Sequence, residues 1–261
     1  MKRSSPGETG LSRIVKVLEA FDRGNANLTP AEIARRTGLP AASTYRLVNE
    51  MVKVGFLDRA DGRVQTGVRL WELASRESRT LNLRNAALPF MEDLQDAIKQ
   101  HTQLSVLDGT DILYIERLSA VGAVVNITRI AGRLPAIVAS PGLVMAAFSP
   151  PELQQAVLDT VPPKFTEYTP ALATDFRRIF ADVRRQGYAR ADGWIDAGVS
   201  GVAAPIRNVD GKVIAALSAL LPNDGKTPRI ALPAVQIAAA SVSRSMGWSP
   251  SAAPTRWVRP D

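Results

Sequence analysis

An α+β protein of two domains is what this chain of 261 residues predicts, on three observations. Residues 29–66 hold two short helical patterns around a tight turn, then two strand-like runs around an Asp-Gly. Residues 71–88 mix apolar and charged residues without glycine or proline, the pattern of a connecting helix. Beyond residue 100, short strands joined at Asp-Gly turns run in series with helices gathered at the ends, which is the order of an antiparallel sheet flanked by helices.

Taken in order, residues 1–9 are polar and are expected to be disordered. Leu11, Ile14, Val15, Leu18 and Phe21 recur at helical spacing and predict a first helix. Thr29 accepts from the amide of Glu32 while Glu32 reaches back, a capping box. Pro30 then occupies the first helical position, where its missing N–H is no loss. Ile33 and Ala34 give this helix its apolar face, and Gly38 ends it because a left-handed residue costs glycine nothing. Pro40 is expected to open the next helix in the same way. There Ala41, Tyr45, Val48, Met51 and Val52 form the inward stripe. Ala42, Ser43, Arg46, Asn49 and Lys53 fall on the other side. Hydroxyl, amide and cationic groups on a face without an acid suit phosphates and base edges.

Phe56–Arg59 and Arg63–Thr66 flank Ala60-Asp61-Gly62, a strong hairpin signal. Arg59 and Arg63 lie near its tip, within reach of phosphates beside a groove. Helix, turn, helix and two-stranded ribbon make a winged helix-turn-helix, assigned to residues 10–73. The candidate DNA contacts are Thr29, Arg35, Ala42, Ser43, Thr44, Arg46, Asn49, Lys53, Arg59 and Arg63. Ser43 and Thr44 fix the backbone, and Arg46 meets a phosphate or a guanine edge.

Residues 74–87 are expected as the connector helix, with a break near Ser78–Thr80. The second domain is assigned to 88–248. It opens with a helix over Pro89–Gln100. Strands are predicted over 104–107, 112–118, 124–129, 188–191, 199–208 and 213–221. Helices are predicted over 141–148, 152–159, 175–186 and 230–246. Residues 249–261, with three prolines and no helical pattern, read as a disordered tail.

Composition narrows the function classes. Net charge is +7 and uneven: residues 1–80 hold 14 Lys/Arg against 9 Asp/Glu, so most of the excess sits on the proposed DNA module. There is no cysteine, which excludes disulfides, thiolate metal sites and cysteine catalysis. No apolar run approaches the ~20 residues of a membrane span, and the first residues lack an apolar signal region. A cytoplasmic protein that binds no membrane is expected. His101 is the single histidine, so neither a triad nor a histidine-rich metal site can be assembled. Asp108 and Asp111 belong to a turn. Asp192 and Asp196 are the one acid–base pair that the spacing leaves open. No catalytic residue, metal or cofactor is assigned; the alternative is an enzyme carrying a vestigial DNA-binding module.

The residues Ser12-Arg13-Ile14, Val17–Phe21, Leu28-Thr29, Glu32-Ile33-Ala34, Thr37–Pro40, Ser43-Thr44, Arg46-Leu47 and Gly67–Leu70 resemble, in order and spacing, the DNA-binding domain of the isocitrate lyase regulator (IclR) family. Gly132–Pro135, Ser140-Pro141-Gly142, Gly187–Ala189, Gly198-Val199, Ala203–Ile206 and Ala215–Ser218 extend the resemblance over roughly residues 11–247. It implies a bacterial transcription regulator, in most members a repressor, with a C-terminal GAF-like effector domain. It also implies a homodimer or a dimer of dimers on a pseudo-palindromic DNA operator.

The loop at Ala139–Gly142 enters a helix whose free amides suit a carboxylate. By the resemblance the effector pocket comprises Ser140, Pro141, Gly142, Asp192, Trp194, Val199, Gly201, Ser218 and Leu220. Leu143 stands where the family often has lysine, Trp194 where it often has an acid, and Gly201 and Leu220 where it can carry Cys and Ser. Each change removes a polar or ionisable group. The expected effector is therefore a small organic acid with a larger apolar or aromatic part, while Trp194 also fits plain packing.

Overall fold

The computed structural model describes residues 9–22, 24–161 and 163–250. The disorder expected of residues 1–8 and 251–261 falls outside them. The chain divides into two compact units between Ser78 and Arg79.

In the first unit, α1 (Gly10–Glu19) is capped by Thr9, whose Oγ1 accepts from the amide of Ser12. Its inward residue is Val17, followed by the buried C-cap Ala20, with Ile14, Leu18 and Phe21 packed alongside. Leu11 and Val15, expected inside, are exposed. Only one side of α1 is covered, and the 11/15 stripe lies off it. The capping box opens α2 (Pro30–Thr37) as the sequence requires, and Gly38 closes it at φ 69°. In α3 (Ala41–Lys53), Pro40 is the cap and not the first helical residue.

The buried stripe of α3 is Thr44, Val48 and Met51; Ala41 and Tyr45 are exposed, against expectation. The stripe is rotated so that Thr44 replaces Tyr45 inside. Threonine is tolerated there because its hydroxyl donates to the Pro40 carbonyl at 3.2 Å. Strands β1 (Leu57–Ala60) and β2 (Arg63–Thr66) pair antiparallel around Asp61 and Gly62, both at positive φ (50° and 75°). That is the geometry of a tight two-residue hairpin turn. Leu28 docks on the far side of β2 through two backbone bonds to Val64. Gly67 is required where it stands, since a Cβ there would lie 2.3 Å from the Gly55 carbonyl oxygen. Helix α4 (Val68–Ser75) ends this unit.

The connector is two helices, broken over residues 76–78, close to the break expected near Ser78–Thr80. Arg76 is extended and Glu77 takes φ 50°, so α4 stops and α5 (Arg79–Ile98) starts afresh. Helix α5 runs through Pro89, where the sequence suggested a new start. Leu83, Ala87, Met91 and Leu94 fix its buried line across the proline, outweighing the one lost backbone bond.

The second unit is built on a six-stranded sheet of β3 (His101–Asp108), β4 (Asp111–Leu118), β5 (Arg133–Pro135), β6 (Ala189–Asp192), β7 (Val199–Arg207) and β8 (Val213–Pro222). The order is β5-β4-β3-β8-β7-β6, and every pair is antiparallel. Helices α5 and α9 (Thr227–Ser245) cover one face around Leu104, Val202, Ile206 and Leu217. Helices α6 (Ser140–Ala147), α7 (Pro151–Leu158) and α8 (Ala173–Gln186) cover the other around Ile112, Ala203 and Ala216. The period of two along each strand sends alternate residues to the two cores.

One predicted strand is absent. Residues 124–129 form a coil, tied down by side chains of β3 and its approach. Gln100 Oε1 accepts from the Val124 amide, His101 Nε2 lies 2.8 Å from the Val124 carbonyl oxygen, and Gln103 donates to Asn126 and Thr128. Valines and an isoleucine mimic a strand in this stretch, but side-chain bonds replace the ladder. The short β5, between 133 and 135, is the sheet edge instead. Among the described residues no helix is long and apolar enough to cross a membrane, and no cluster of three or more acidic, histidine or cysteine side chains is placed to hold a metal ion.

Candidate DNA-binding face and ligand pocket

The outer side of α3 carries Ala42, Ser43, Arg46, Asn49 and Lys53, all exposed. A helix with one buried stripe presents the opposite residues together, so these five share the solvent side. Arg35, also exposed, lies in the last turn of α2. Two corrections apply. Glu50 lies beside Arg46 and Lys53, so the side is not free of acid; it is paired with Lys53 at 3.2 Å. Thr44 is fully buried and bonded to Pro40, which removes it from any surface that could touch DNA.

Three further candidates are engaged within the unit. Thr29 is spent on the capping box. Arg63 turns back from the wing to Glu32 at 3.0 Å and to the Asn27 carbonyl. Arg59 reaches across to Asn49 Oδ1 at 2.7 Å, tying the wing to the outer side of α3. Glu32 accepts from the Thr29 amide and hydroxyl and faces Arg63; these hold its carboxyl below the usual glutamate range.

In the second unit a small cavity opens between the sheet and the start of α6. Of the sequence-derived set, Ser140, Pro141, Trp194, Val199, Gly201 and Leu220 line it. Gly142, Asp192 and Ser218 do not. Gly142 faces the short 3-10 turn over 136–138, and a Cβ there would come within 2.1 Å of the Ala136 carbonyl oxygen. Its absent side chain lets α6 pack. Asp192 is held by Arg190 at 2.7 Å and by the Ser200 hydroxyl. Ser218 is buried under Gln103, with its hydroxyl 3.4 Å from Gln103 Oε1. Asp196 lines the cavity but accepts from the Gly198 amide at 2.8 Å, so it and Asp192 serve separate partners and form no acid–base pair.

Several lining residues escaped the sequence reading: Gln103, Tyr114, Val125, Ile127 and Thr128 among them. Gln103 and Tyr114 share a sheet face with Leu220 and Gly201. Strand parity alone marks them inward, but naming the face needs the register. Val125, Ile127 and Thr128 come from the coil mistaken for a strand.

The cavity wall is apolar and carries no Lys, Arg or His. Trp194 both lines it and packs edge-on to Phe176 (centroids 6.1 Å, interplanar 85°), so the two readings of this residue hold together. The Thr166 and Thr169 hydroxyls each donate at 2.6 Å to backbone carbonyls of Gly193 and Trp194, fixing the loop that presents the indole. At Gly201 a Cβ would stand 2.9 Å from Ser140 Oγ, so glycine leaves room for that hydroxyl. Burial raises the Tyr114 phenol well above its ordinary pKa, keeping it neutral.

A winged helix-turn-helix joined to a separate domain with a small apolar cavity defines a ligand-responsive DNA-binding regulator. The chain belongs to the IclR family of bacterial transcriptional regulators: residues 10–61 match the IclR helix-turn-helix domain and 77–244 the bacterial transcriptional regulator IclR C-terminal domain. It is 41% identical to an IclR homolog from Microbacterium hydrocarbonoxydans, solved in complex with 4-hydroxybenzoate. That match has a TM-score of 0.86 and covers 91% of this chain and 99% of the other. The Pca regulon regulatory protein of Pseudomonas putida is 29% identical over 215 residues, covering 80% of this chain and 73% of its own. The transcriptional regulator XynR of Escherichia coli is 28% identical over 213 residues, covering 80% and 84%.

Proposed function

We propose that the protein represses transcription by binding a pseudo-palindromic operator, and that a small aromatic carboxylate in the second-unit cavity changes its operator affinity. The observation that carries the ligand class is the cavity itself: apolar, walled by Trp194, without a cation, and opening on the start of α6. The 4-hydroxybenzoate complex of the 41% identical relative points the same way. In this reading the α6 N-terminus and Ser140 meet the carboxylate, and the ring lies among Trp194, Val199 and Leu220.

On the DNA side, Ser43, Arg46, Asn49 and Lys53 enter the major groove and Arg59 steadies Asn49 from the wing. A single recognition helix reads few base pairs, so the operator is met by a dimer. Leu11, Val68 and Trp71, each more than two-thirds exposed, supply apolar surface on α1 and α4 for that association. A dimer of dimers through the effector domains completes the assembly, and the cytoplasm is its compartment. Footprinting upstream of the chain's own gene, with and without 4-hydroxybenzoate, tests the reading. A footprint that weakens or shifts with the acid supports it; a footprint indifferent to aromatic acids that calorimetry shows bound contradicts it.

A further inference from the structure

Two hydroxyl groups on the cavity wall are satisfied by nothing among the described residues. Tyr114 and Ser140 are 3% and 2% exposed, and both line the cavity. Neither side chain has a hydrogen-bond partner among the described residues. A hydroxyl on a cavity wall with no partner of its own is free to bond a molecule inside that cavity. Both residues belong to the same wall, so one ligand can meet both.

Their placement gives the ligand a direction. Ser140 Oγ sits over β7, 2.9 Å from where a Cβ of Gly201 would be. Tyr114 rises from β4, three strands away across β3 and β8. At about 4.8 Å per strand, β4 and β7 stand roughly 14 Å apart. Leu220, Val138 and Ile127 line the same cavity. The wall thus carries one hydroxyl over β4 and one over β7, with apolar side chains making up most of the rest beside Gln103 and Thr128. The Ser140 end adds the positive pole of α6, and the charged side chain on the wall is Asp196.

We infer that Ser140 takes the carboxylate of the ligand while the Tyr114 hydroxyl reads a hydroxyl on the opposite side of its ring. The preferred class is then a hydroxylated aromatic monocarboxylate. An unsubstituted ring leaves Tyr114 unpaired. A dicarboxylate of the same length brings a second charge to a wall with no cation and with Asp196 on it. This inference rests on the aromatic-acid reading above and goes past it by assigning the specificity to Tyr114.

Calorimetry on the full chain tests it, with benzoate, 4-hydroxybenzoate and terephthalate as probes and with wild type, Tyr114→Phe and Ser140→Ala as proteins. Phenylalanine removes one oxygen and keeps the ring that packs in the core; thermal melts check that both variants fold. Wild type is expected to prefer 4-hydroxybenzoate over benzoate by roughly tenfold or more, since a site built around a hydroxyl penalises its loss. Tyr114→Phe brings the two acids to within about twofold by weakening 4-hydroxybenzoate alone, a shift that marks a lost hydrogen bond. Ser140→Ala weakens both acids by a similar factor. Terephthalate fails to bind where 4-hydroxybenzoate saturates. Equal weakening of both acids by Tyr114→Phe, no preference in wild type, or tight terephthalate binding overturns the assignment. If wild type binds neither monocarboxylate, the aromatic-acid reading itself falls, and this assignment with it.

Discussion

Arg46 projects from the exposed side of α3 with Ser43 and Asn49 as neighbours on that side. Replacing it with alanine should weaken binding to the operator while leaving the fold intact, because the side chain packs against no core. A guanine contact is worth ~1–3 kcal/mol of discrimination, so the advantage of operator over scrambled duplex should shrink by roughly 5- to 150-fold. A phosphate contact would instead lower both affinities alike and reduce the salt slope by about one. Anisotropy titrations with the two duplexes separate these outcomes, and unchanged operator binding would remove α3 from the DNA interface. Gly142 makes the opposite kind of prediction. Its Cβ would overlap the Ala136 carbonyl, so Gly142→Ala should cost about 1–3 kcal/mol of stability in the second unit. Urea denaturation reads this directly; an unaltered midpoint would show that α6 can move away at no cost. At the scale of single residues the sequence was least transparent. Thr44 has the chemistry of a DNA contact and Tyr45 that of a core residue, yet a small rotation of α3 reverses them. Nothing in a helical period fixes that rotation, which depends on what α1 and α2 cover.

Elements fared better wherever their ends carry local chemistry. The capping box at Thr29, the left-handed Gly38 and the Asp61-Gly62 turn each act within four residues, so they could be read before any packing was known. The coil over 124–129 could not. Its anchors, Gln100, His101 and Gln103, lie more than twenty residues away, and its valines look like strand. The same distance hid Gln103 and Tyr114 from the pocket. The capping box also yields a pH prediction. Glu32 is held below its ordinary pKa first by the Thr29 amide, then by the Thr29 hydroxyl, with Arg63 adding to it. A carboxylate depressed in the folded state adds stability above its unfolded pKa and loses it as pH falls through the folded value. The first unit should therefore weaken on acidification below the ordinary glutamate range, and Glu32→Gln should flatten that limb. Thr29→Ala, which removes the cap, should cost roughly 0.5–2 kcal/mol at neutral pH. Circular dichroism melts across pH check both; an acid limb equally steep in Glu32→Gln would assign it to other carboxylates.

For the whole molecule the two units must speak to each other through free energy. A ligand that binds equally well to the operator-bound and free arrangements shifts nothing, however tight it is. Coupling in such proteins is commonly about 1–3 kcal/mol, or roughly 5- to 150-fold in affinity, and it is reciprocal. The acid should thus bind the operator complex more weakly by the factor with which it weakens operator binding. The basic first unit adds an attraction to any duplex that falls with salt, so the comparison belongs at one fixed ionic strength. The most direct measurement is the operator dissociation constant of the full chain with and without saturating 4-hydroxybenzoate. A change of at least about fivefold is predicted. An identical constant, with the acid shown by calorimetry to occupy the protein, would contradict ligand-controlled DNA binding.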